Sequence, residues 1–262
     1  MKHALAIVLI LCLTLSLLTL TVNAQEMPEV YVTISVKGEL VAAQIPVTIH
    51  DYDADSAYTV NDALYGVHRQ MYEGGADAGY GYYSGDYGLS MSKLWGDESG
   101  AYGYYLNNAS CQSLADPIKH GDQITAFVYA SGDWSDVYTY FDVSAKTVEV
   151  GEEIALTLMA AGYDENWNPI TYPVKGATIT VDGVPTGIVT DENGNATFRR
   201  NEIGIAVISA KSETPTLVPP VCSITATKAV IPEEETGCGA IASASLLALL
   251  PLAYLCIKKR EN

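Results

Sequence analysis

The sequence predicts a mainly β protein in which a small α+β domain precedes a β-sandwich, with a long apolar segment at each end. Short runs rich in β-branched and aromatic residues recur along the middle of the chain, between Gly, Asn and Asp turn signals. One stretch there repeats apolar residues at helical spacing. The apolar runs at 4–22 and 240–257 are too long for strands and indicate targeting or membrane segments.

Residues 1–24 are typical of a secretory signal peptide. Lys2 precedes the apolar run, and Ala24 follows Val22 after one intervening residue. A basic start, an apolar centre and small residues at the cleavage point define such a leader. We therefore expect export with cleavage after Ala24, and an uncleaved anchor helix is the alternative.

Residues 240–257 predict a transmembrane helix, because their length is about the minimum that spans a bilayer at ~1.5 Å per residue. The basic residues of the tail 258–262 follow at once and place it in the cytoplasm. The membrane is therefore a predicted partner, reached through an acidic stalk at 228–239. A buried core helix is the alternative, which the terminal position and the basic tail argue against.

The part between the two apolar ends is strongly acidic. Residues 25–236 hold 10 Lys and Arg against 30 Asp and Glu, so their net charge is 10 − 30 = −20. Such a surface repels nucleic acid and anionic lipid, which excludes a nucleic-acid partner, and it attracts divalent cations where carboxylates converge. Cys111 and Cys222 lie in different predicted domains, so we expect free thiols, although export would permit a disulfide.

The first predicted domain, residues 29–143, combines strands with one helix. Its strands are expected at 30–36, 45–49, 123–129 and 137–143. Its helix is expected where apolar residues follow helical spacing: Val60, Ala63, Leu64, Val67 and Met71. The second predicted domain, residues 146–227, has short strands separated by turn signals such as Asp182-Gly183 and no helical pattern, which indicates a β-sandwich.

Three segments of the first domain carry a resemblance. These are 51–64, 95–108 (Trp-Gly-Asp…Tyr-Gly-Tyr-Tyr-Leu-Asn-Asn) and 120–129 (His-Gly-Asp-Gln-Ile…Phe-Val-Tyr). In motif order they resemble the transcobalamin-type C-terminal domain of bacterial surface proteins. The resemblance implies a small α+β fold. It implies no cobalamin site, because the bacterial relatives have no general assigned ligand.

Two further segments resemble known surface-protein features. Residues 176–198 (Gly-Ala-Thr-Ile-Thr-Val-Asp-Gly…Thr-Asp-Glu-Asn-Gly-Asn-Ala-Thr-Phe) resemble bacterial Ig-like and carboxypeptidase-regulatory-like modules, which implies an Ig-like sandwich acting as a spacer or adhesion module. Thr-Gly-Cys-Gly at 236–239, with the apolar and basic residues after it, is similar to Gly-Cys sorting tails of the Synergistes type. That resemblance implies surface attachment near Cys238; a plain transmembrane anchor with an incidental cysteine is the alternative.

The loop before the predicted helix has the oxygen spacing of an EF-hand calcium loop and also resembles the dockerin loop. Its candidate ligands are Asp51, Asp53, Asp55, the carbonyl of Ala57, Thr59 and Asp62. Two departures are Ser56 where the loop favours Gly, and Asp62, which is shorter than the usual Glu. The alternative is a helix cap made by Thr59 and Asp62, with the other acids solvating the loop. The predicted cofactor is therefore calcium.

Tyr outnumbers Phe by 18 to 3, and many of the tyrosines alternate with Gly in the first domain. A flat apolar ring with a polar hydroxyl suits recognition of sugars, ring-shaped ligands or protein. The predicted ligand-binding residues are Tyr82, Tyr83, Trp95, Tyr104 and Tyr105, with Trp134 and Trp167 as further stacking surfaces. The alternative is that tyrosines fill half-buried strand faces.

Catalytic motifs are lacking: there is no Gly-x-Ser-x-Gly elbow and no His-Glu-x-x-His helix. His68 is predicted on the exposed side of the helix. We therefore expect an exported, surface-tethered, non-enzymatic binding or adhesion protein of unknown glycan, protein or other surface ligand. A structural envelope component and a solute-capture protein feeding an uptake system are the alternatives. A deep apolar pocket around Trp95 and Tyr104 would favour capture, and an exposed Tyr patch would favour adhesion.

Overall fold

The computed structural model describes residues 27–86 and 88–228. The predicted signal peptide, Cys238, the transmembrane helix and the basic tail lie outside these residues, as does nearly all of the acidic stalk. Within the described part, neither helix combines the length and apolar character needed to cross a bilayer.

The first half of the described chain forms a unit that we call the head. Its elements are β1 (Glu29–Val36), β2 (Glu39–Thr48), α1 (Val60–Met71), α2 (Ala76–Gly79), β3 (Tyr80–Gly85), β4 (Gly88–Leu94), β5 (Tyr102–Leu106), β6 (Ala109–Ser110) and β7 (Gln123–Val128). Five strands make one sheet in the order β2-β1-β7-β5-β6, in which only β1 and β7 run parallel. Strands β3 and β4 form a separate antiparallel hairpin.

Helix α1 occupies the stretch that the apolar spacing predicts. Its stripe of Val60, Ala63, Leu64 and Val67 is fully buried in the head core. Thr59 caps the N-terminus of the helix, and its side chain and that of Asp62 form a reciprocal capping box. The predicted helix is therefore confirmed, and its N-terminal hydrogen bonds are satisfied locally.

The second half forms a β-sandwich, which confirms the mainly β class. Its strands are β8 (Val137–Phe141), β9 (Ala145–Glu149), β10 (Glu153–Tyr163), β11 (Pro169–Pro173), β12 (Thr178–Val181), β13 (Val184–Val189), β14 (Asn195–Arg199), β15 (Gly204–Lys211), β16 (Leu217–Val218) and β17 (Cys222–Thr227). One sheet has the order β11-β10-β8-β16, with β14 also on β10, and the other has the order β13-β12-β15-β17-β9. Alternate side chains such as Leu156, Leu158 and Ile208 form the core.

Strand β8 does not belong to the sheet of the head. The sequence places it at the end of the first domain, but it pairs antiparallel with β10 and parallel with β16. Its Phe141 is buried in the sandwich core. Alternation of apolar residues identifies a strand without identifying its partner, so the sequence pattern did not locate this boundary.

The head and the sandwich meet at an extensive junction. Tyr105 of β5 stacks on Tyr138 of β8, with ring centroids 3.6 Å apart and planes 3° from parallel. Beside this pair, the Gln44 side chain donates to the carbonyl of Ser144 (2.8 Å) and accepts from the hydroxyl of Ser223 (2.7 Å). Aromatic stacking and half-buried amide hydrogen bonds therefore connect the two units.

Candidate functional sites: the acidic loop and the exposed aromatic side chains

The acidic loop brings three of its predicted metal ligands together. One carboxylate oxygen each from Asp51, Asp53 and Asp55 lies within 4.8 Å of the others. The loop has little regular structure, and Ser56 adopts a φ of 71°, the left-handed conformation for which this loop position favours Gly. The backbone is therefore strained at Ser56, where the loop closes around the three carboxylates.

Hydrogen bonds within the loop orient these carboxylates. Asp51 accepts from the backbone N–H of Asp55 (3.1 Å) and of Ser56 (3.0 Å). One oxygen of Asp53 accepts from the Asn61 side chain at 2.9 Å. Its other oxygen, Oδ1, is buried and has no hydrogen-bond partner among the described residues. That oxygen is the atom whose desolvation a bound cation would offset.

Two other predicted ligands are used by the helix cap. Asp62 Oδ1 accepts from the backbone N–H of Tyr52 (2.8 Å), and its Oδ2 accepts from the backbone and hydroxyl of Thr59. Burial raises the pKa of Asp62, and the hydrogen bonds from Tyr52 and Thr59 oppose that rise. Both side chains are fully engaged at the start of α1. A cation in this loop would therefore rely on Asp51, Asp53, Asp55, backbone carbonyls such as that of Ala57, and water.

The predicted aromatic residues do not form one surface. Tyr82 and Tyr83 on β3 are 40% and 54% exposed, and we call this feature the tyrosine hairpin. Tyr104 lies against the head core next to it; burial raises its pKa, and Tyr83 is one of the neighbouring groups that raise it further. Tyr105 lies in the junction, stacked on Tyr138.

Trp95 packs into the head instead of facing solvent. The centroid of its ring lies 5.0 Å from that of His68 and 5.3 Å from that of Tyr72.

A cleft of about 220 Å³ lies at the junction, and neither Trp95 nor Tyr104 lines it. Its lining is mostly Thr, Asn, Gln and Tyr side chains, including Gln44 and Asn108.

The prediction that His68 is exposed is wrong. The side chain is completely buried, between α1 and Trp95. Its Nδ1 lies 2.7 Å from the carbonyl of Leu64, and its Nε2 accepts from the backbone N–H of Trp95 at 3.0 Å. Burial lowers its pKa to about 4, so it is neutral at pH 7 with Nδ1 as the donor. Its role is structural: it joins the helix to the segment after β4.

Both cysteines of the described chain are free thiols, as expected. Cys222 is buried in the sandwich core, and Cys111 packs on the head core. Burial raises the pKa of each thiol to about 12, so neither presents a reactive thiolate at neutral pH.

Among the described residues, the two most exposed aromatic side chains, Trp167 and Trp134, lie outside the predicted set of five, and Tyr163 is about as exposed as Tyr83. Trp134 is 62% exposed, Tyr163 is 51% exposed, and Trp167 is 81% exposed. Trp134 and Trp167 both sit in turns between strands, at positive φ. The sequence signal for Trp167 is its position in Asp-Glu-Asn-Trp-Asn at 164–168, which matches Asp-Glu-Asn-Gly-Asn at 191–195 except for one residue.

Comparisons with known proteins identify no family. No protein-family model matches the chain, and a search of curated proteins finds no significant match either. Function is therefore argued from the geometry of these sites.

Proposed function

We propose that the protein is an exported, surface-tethered, non-enzymatic binding or adhesion protein. The observation that carries this proposal is the tyrosine hairpin, which presents Tyr82 and Tyr83 to solvent on a two-stranded sheet separate from the main sheet of the head. Exposed tyrosines offer ring faces and hydroxyls without a large entropy cost on binding. The sandwich, read as an Ig-like spacer, would hold the head away from the membrane anchor.

Adhesion fits the structure better than solute capture. Capture of a ring-shaped nutrient calls for a deep apolar pocket around Trp95 and Tyr104. Trp95 is instead packed against His68, and the cleft at the junction is lined mostly by polar side chains. The proposal therefore assigns recognition to an exposed surface.

Calcium is proposed as a structural cofactor of the acidic loop. Three carboxylates within 4.8 Å repel one another, and Asp53 Oδ1 is buried without a partner among the described residues. A divalent cation would offset both costs and order the loop that leads into α1. The Thr59–Asp62 cap would hold the helix start with or without the ion.

A thermal melt of the full-length protein in detergent micelles tests the calcium proposal. Calcium at a hundredfold excess over Kd should add about 2.7 kcal/mol to the free energy of unfolding. Asp55→Ala should remove this gain, while Glu202→Ala, an exposed acidic residue of the sandwich, should keep it. Asp62→Ala should lower stability by about 1 kcal/mol with or without calcium, through loss of the cap. An equal calcium shift in wild type and Asp55→Ala would contradict the proposal.

The adhesion proposal is tested by displaying the full chain on cells and measuring attachment to arrayed glycans and matrix proteins. The double variant Tyr82→Ala, Tyr83→Ala should lose attachment, because it removes both exposed rings of the hairpin. The matched control is Val184→Ala, Ile203→Ala, which removes two exposed apolar side chains of the sandwich. Attachment that survives the tyrosine substitutions would show that the hairpin is not the binding surface.

A further inference from the structure

Two turns of the sandwich have the same hydrogen bonds but differ at one residue. In the first, Asp164 Oδ1 accepts from the backbone N–H of Asn166 and of Asn168, both at 2.8 Å. In the second, Asp191 Oδ1 accepts in the same way from Asn193 and Asn195, again at 2.8 Å. In each turn the fourth residue donates its N–H to the carbonyl of the first at 3.0 Å. The turns are structural copies at the level of the backbone.

The fourth residue is Gly194 in one copy and Trp167 in the other. Gly194 has a φ of 77° and Trp167 a φ of 63°, so both are left-handed. Glycine adopts this conformation freely, whereas a residue with a Cβ is strained there by about 1 kcal/mol or more. The Trp167 ring is 81% exposed, so burial does not offset that strain. Folding alone gives no reason for a tryptophan at this position.

A third turn also places a left-handed tryptophan at its fourth residue. Trp134 donates its backbone N–H to the carbonyl of Ser131 (3.2 Å), has a φ of 61° and is 62% exposed. The Ser131 hydroxyl oxygen accepts from the backbone N–H of Ser135 and of Asp136, four and five residues on, whereas the aspartates accept from residues two and four positions on. A strained, exposed tryptophan therefore occurs in two separate loops.

Both loops lie next to residues that pack on the aromatic cluster of the junction, formed by Phe127, Tyr138 and Val218: Tyr129 packs on it, and so does Ala161, two residues before Tyr163 on β10. The ring of Trp134 lies 6.3 Å from that of Tyr129, and the ring of Trp167 lies 6.1 Å from that of Tyr163. Burial raises the pKa of Tyr105, which lies in the junction, and together with the nearby Tyr129 and Tyr163 it brings that pKa to about 12. Trp134, Tyr163 and Trp167 thus lie beside the aromatic cluster of the junction, and we call these three residues the tryptophan face.

The tryptophan face carries uncompensated negative charge. Its turns contain Asp133, Asp136, Asp164 and Glu165, and none of these makes an ion pair with a Lys or Arg among residues 27–86 and 88–228. Hydrogen bonds from Ser135 lower the pKa of Asp133, and hydrogen bonds from Asn168 lower that of Asp164. Both carboxylates are therefore ionised at neutral pH.

The charge and the hydrogen bonding favour one class of partner. The oxygens of Asp164 and Asp136 already accept N–H or O–H groups of their own turns, which limits their use for reading sugar hydroxyls. Their negative charge remains, and among aromatic side chains the indole face binds cations best. We propose that the tryptophan face binds a Lys- or Arg-rich polypeptide segment, whose cationic side chains stack on Trp134 and Trp167 beside the acidic turns.

This inference adds a second surface to the proposed function and rests on it only in assuming a binding role. The test uses full-length protein in neutral detergent micelles and a fluorescently labelled peptide of four Arg-Gly repeats. Fluorescence anisotropy at low and at physiological ionic strength gives the affinity. Trp134→Ala and Trp167→Ala should each weaken binding about two- to fivefold, and the double variant should weaken it by about tenfold. Raised salt should weaken binding of the wild type.

Two controls separate this face from the rest of the acidic surface. Melting temperatures of the tryptophan variants should equal or exceed that of wild type, because the exposed rings contribute little packing. Tyr82→Ala, Tyr83→Ala should bind the peptide normally, even where cell attachment is lost, so failure of either proposal is recognised separately. Peptide affinity unchanged in the tryptophan double variant would overturn the inference. Displacement of the peptide by neutral cellohexaose would also overturn it, because the face would then be a glycan site.

Discussion

The Asp-Glu-Asn-Gly-Asn and Asp-Glu-Asn-Trp-Asn turns show how the same local fold can serve two purposes. At Gly194 a Cβ would lie 2.4 Å from the carbonyl oxygen of Leu158, so the sandwich leaves no room for a side chain. At Trp167 the side chain extends into solvent. The turn at 191–195 has the residue that the fold demands, and the turn at 164–168 has a residue that the fold does not need.

Trp95 supplies the third case in this comparison. It is also left-handed, with a φ of 50°, but its ring packs against His68 and Tyr72. Packing offsets the backbone strain there, as expected for a residue chosen for stability. All three tryptophans of the chain are therefore strained, and only Trp95 is buried enough to explain it.

The largest expected effect is at Gly194. Gly194→Ala should lower the free energy of unfolding by about 3 kcal/mol, from left-handed strain together with the contact to Leu158. Gly183→Ala is the matched control, because Gly183 has a φ of 80° but open space around it. It should cost only about 1 kcal/mol. Urea unfolding of both variants measures the difference, and equal losses would show that the close contact does not matter.

The second prediction is that acid destabilises the head at the contact between His68 and Trp95. His68 has a folded pKa of about 4, below its ordinary value of 6.5, so the folded state favours the neutral ring. Its contribution to stability is present above pH 6.5 and is lost as the pH falls toward 4, by about 3 kcal/mol in total. Urea unfolding between these pH values measures it.

His68→Gln provides the control for that prediction. Glutamine does not titrate, so the difference in stability between wild type and variant should shrink as the pH falls from 6.5 to 4. A difference that stays constant over this range would show that His68 takes up its proton equally well in the folded state.

The sequence predicted elements better than it predicted sites. Period-two alternation and the apolar stripe of α1 are local signals, and they located the strands and the helix. The partner of β8 depends on long-range pairing, which a local pattern does not contain.

The candidate sites show the same limit. Spacing brought Asp51, Asp53 and Asp55 together correctly, but it did not decide whether Asp62 serves a metal or a helix cap. The sequence predicted Tyr105 as a binding residue and His68 as exposed, but the junction covers Tyr105 and the β3–β4 region covers His68. Which faces become covered depends on long-range packing. The match between 164–168 and 191–195 was readable in the sequence, but its meaning required the backbone conformation of both turns.

The most direct measurement is a paired assay on Trp167→Gly, which converts one turn into the other. The variant should unfold about 1 kcal/mol less readily than wild type, because glycine relieves the left-handed strain. The same variant should bind the Arg-Gly peptide about two- to fivefold more weakly, because the indole is gone and the charges remain. Stability that rises while binding falls is the predicted result. A variant that is less stable than wild type, or that binds the peptide equally well, would contradict the assignment of Trp167 to recognition.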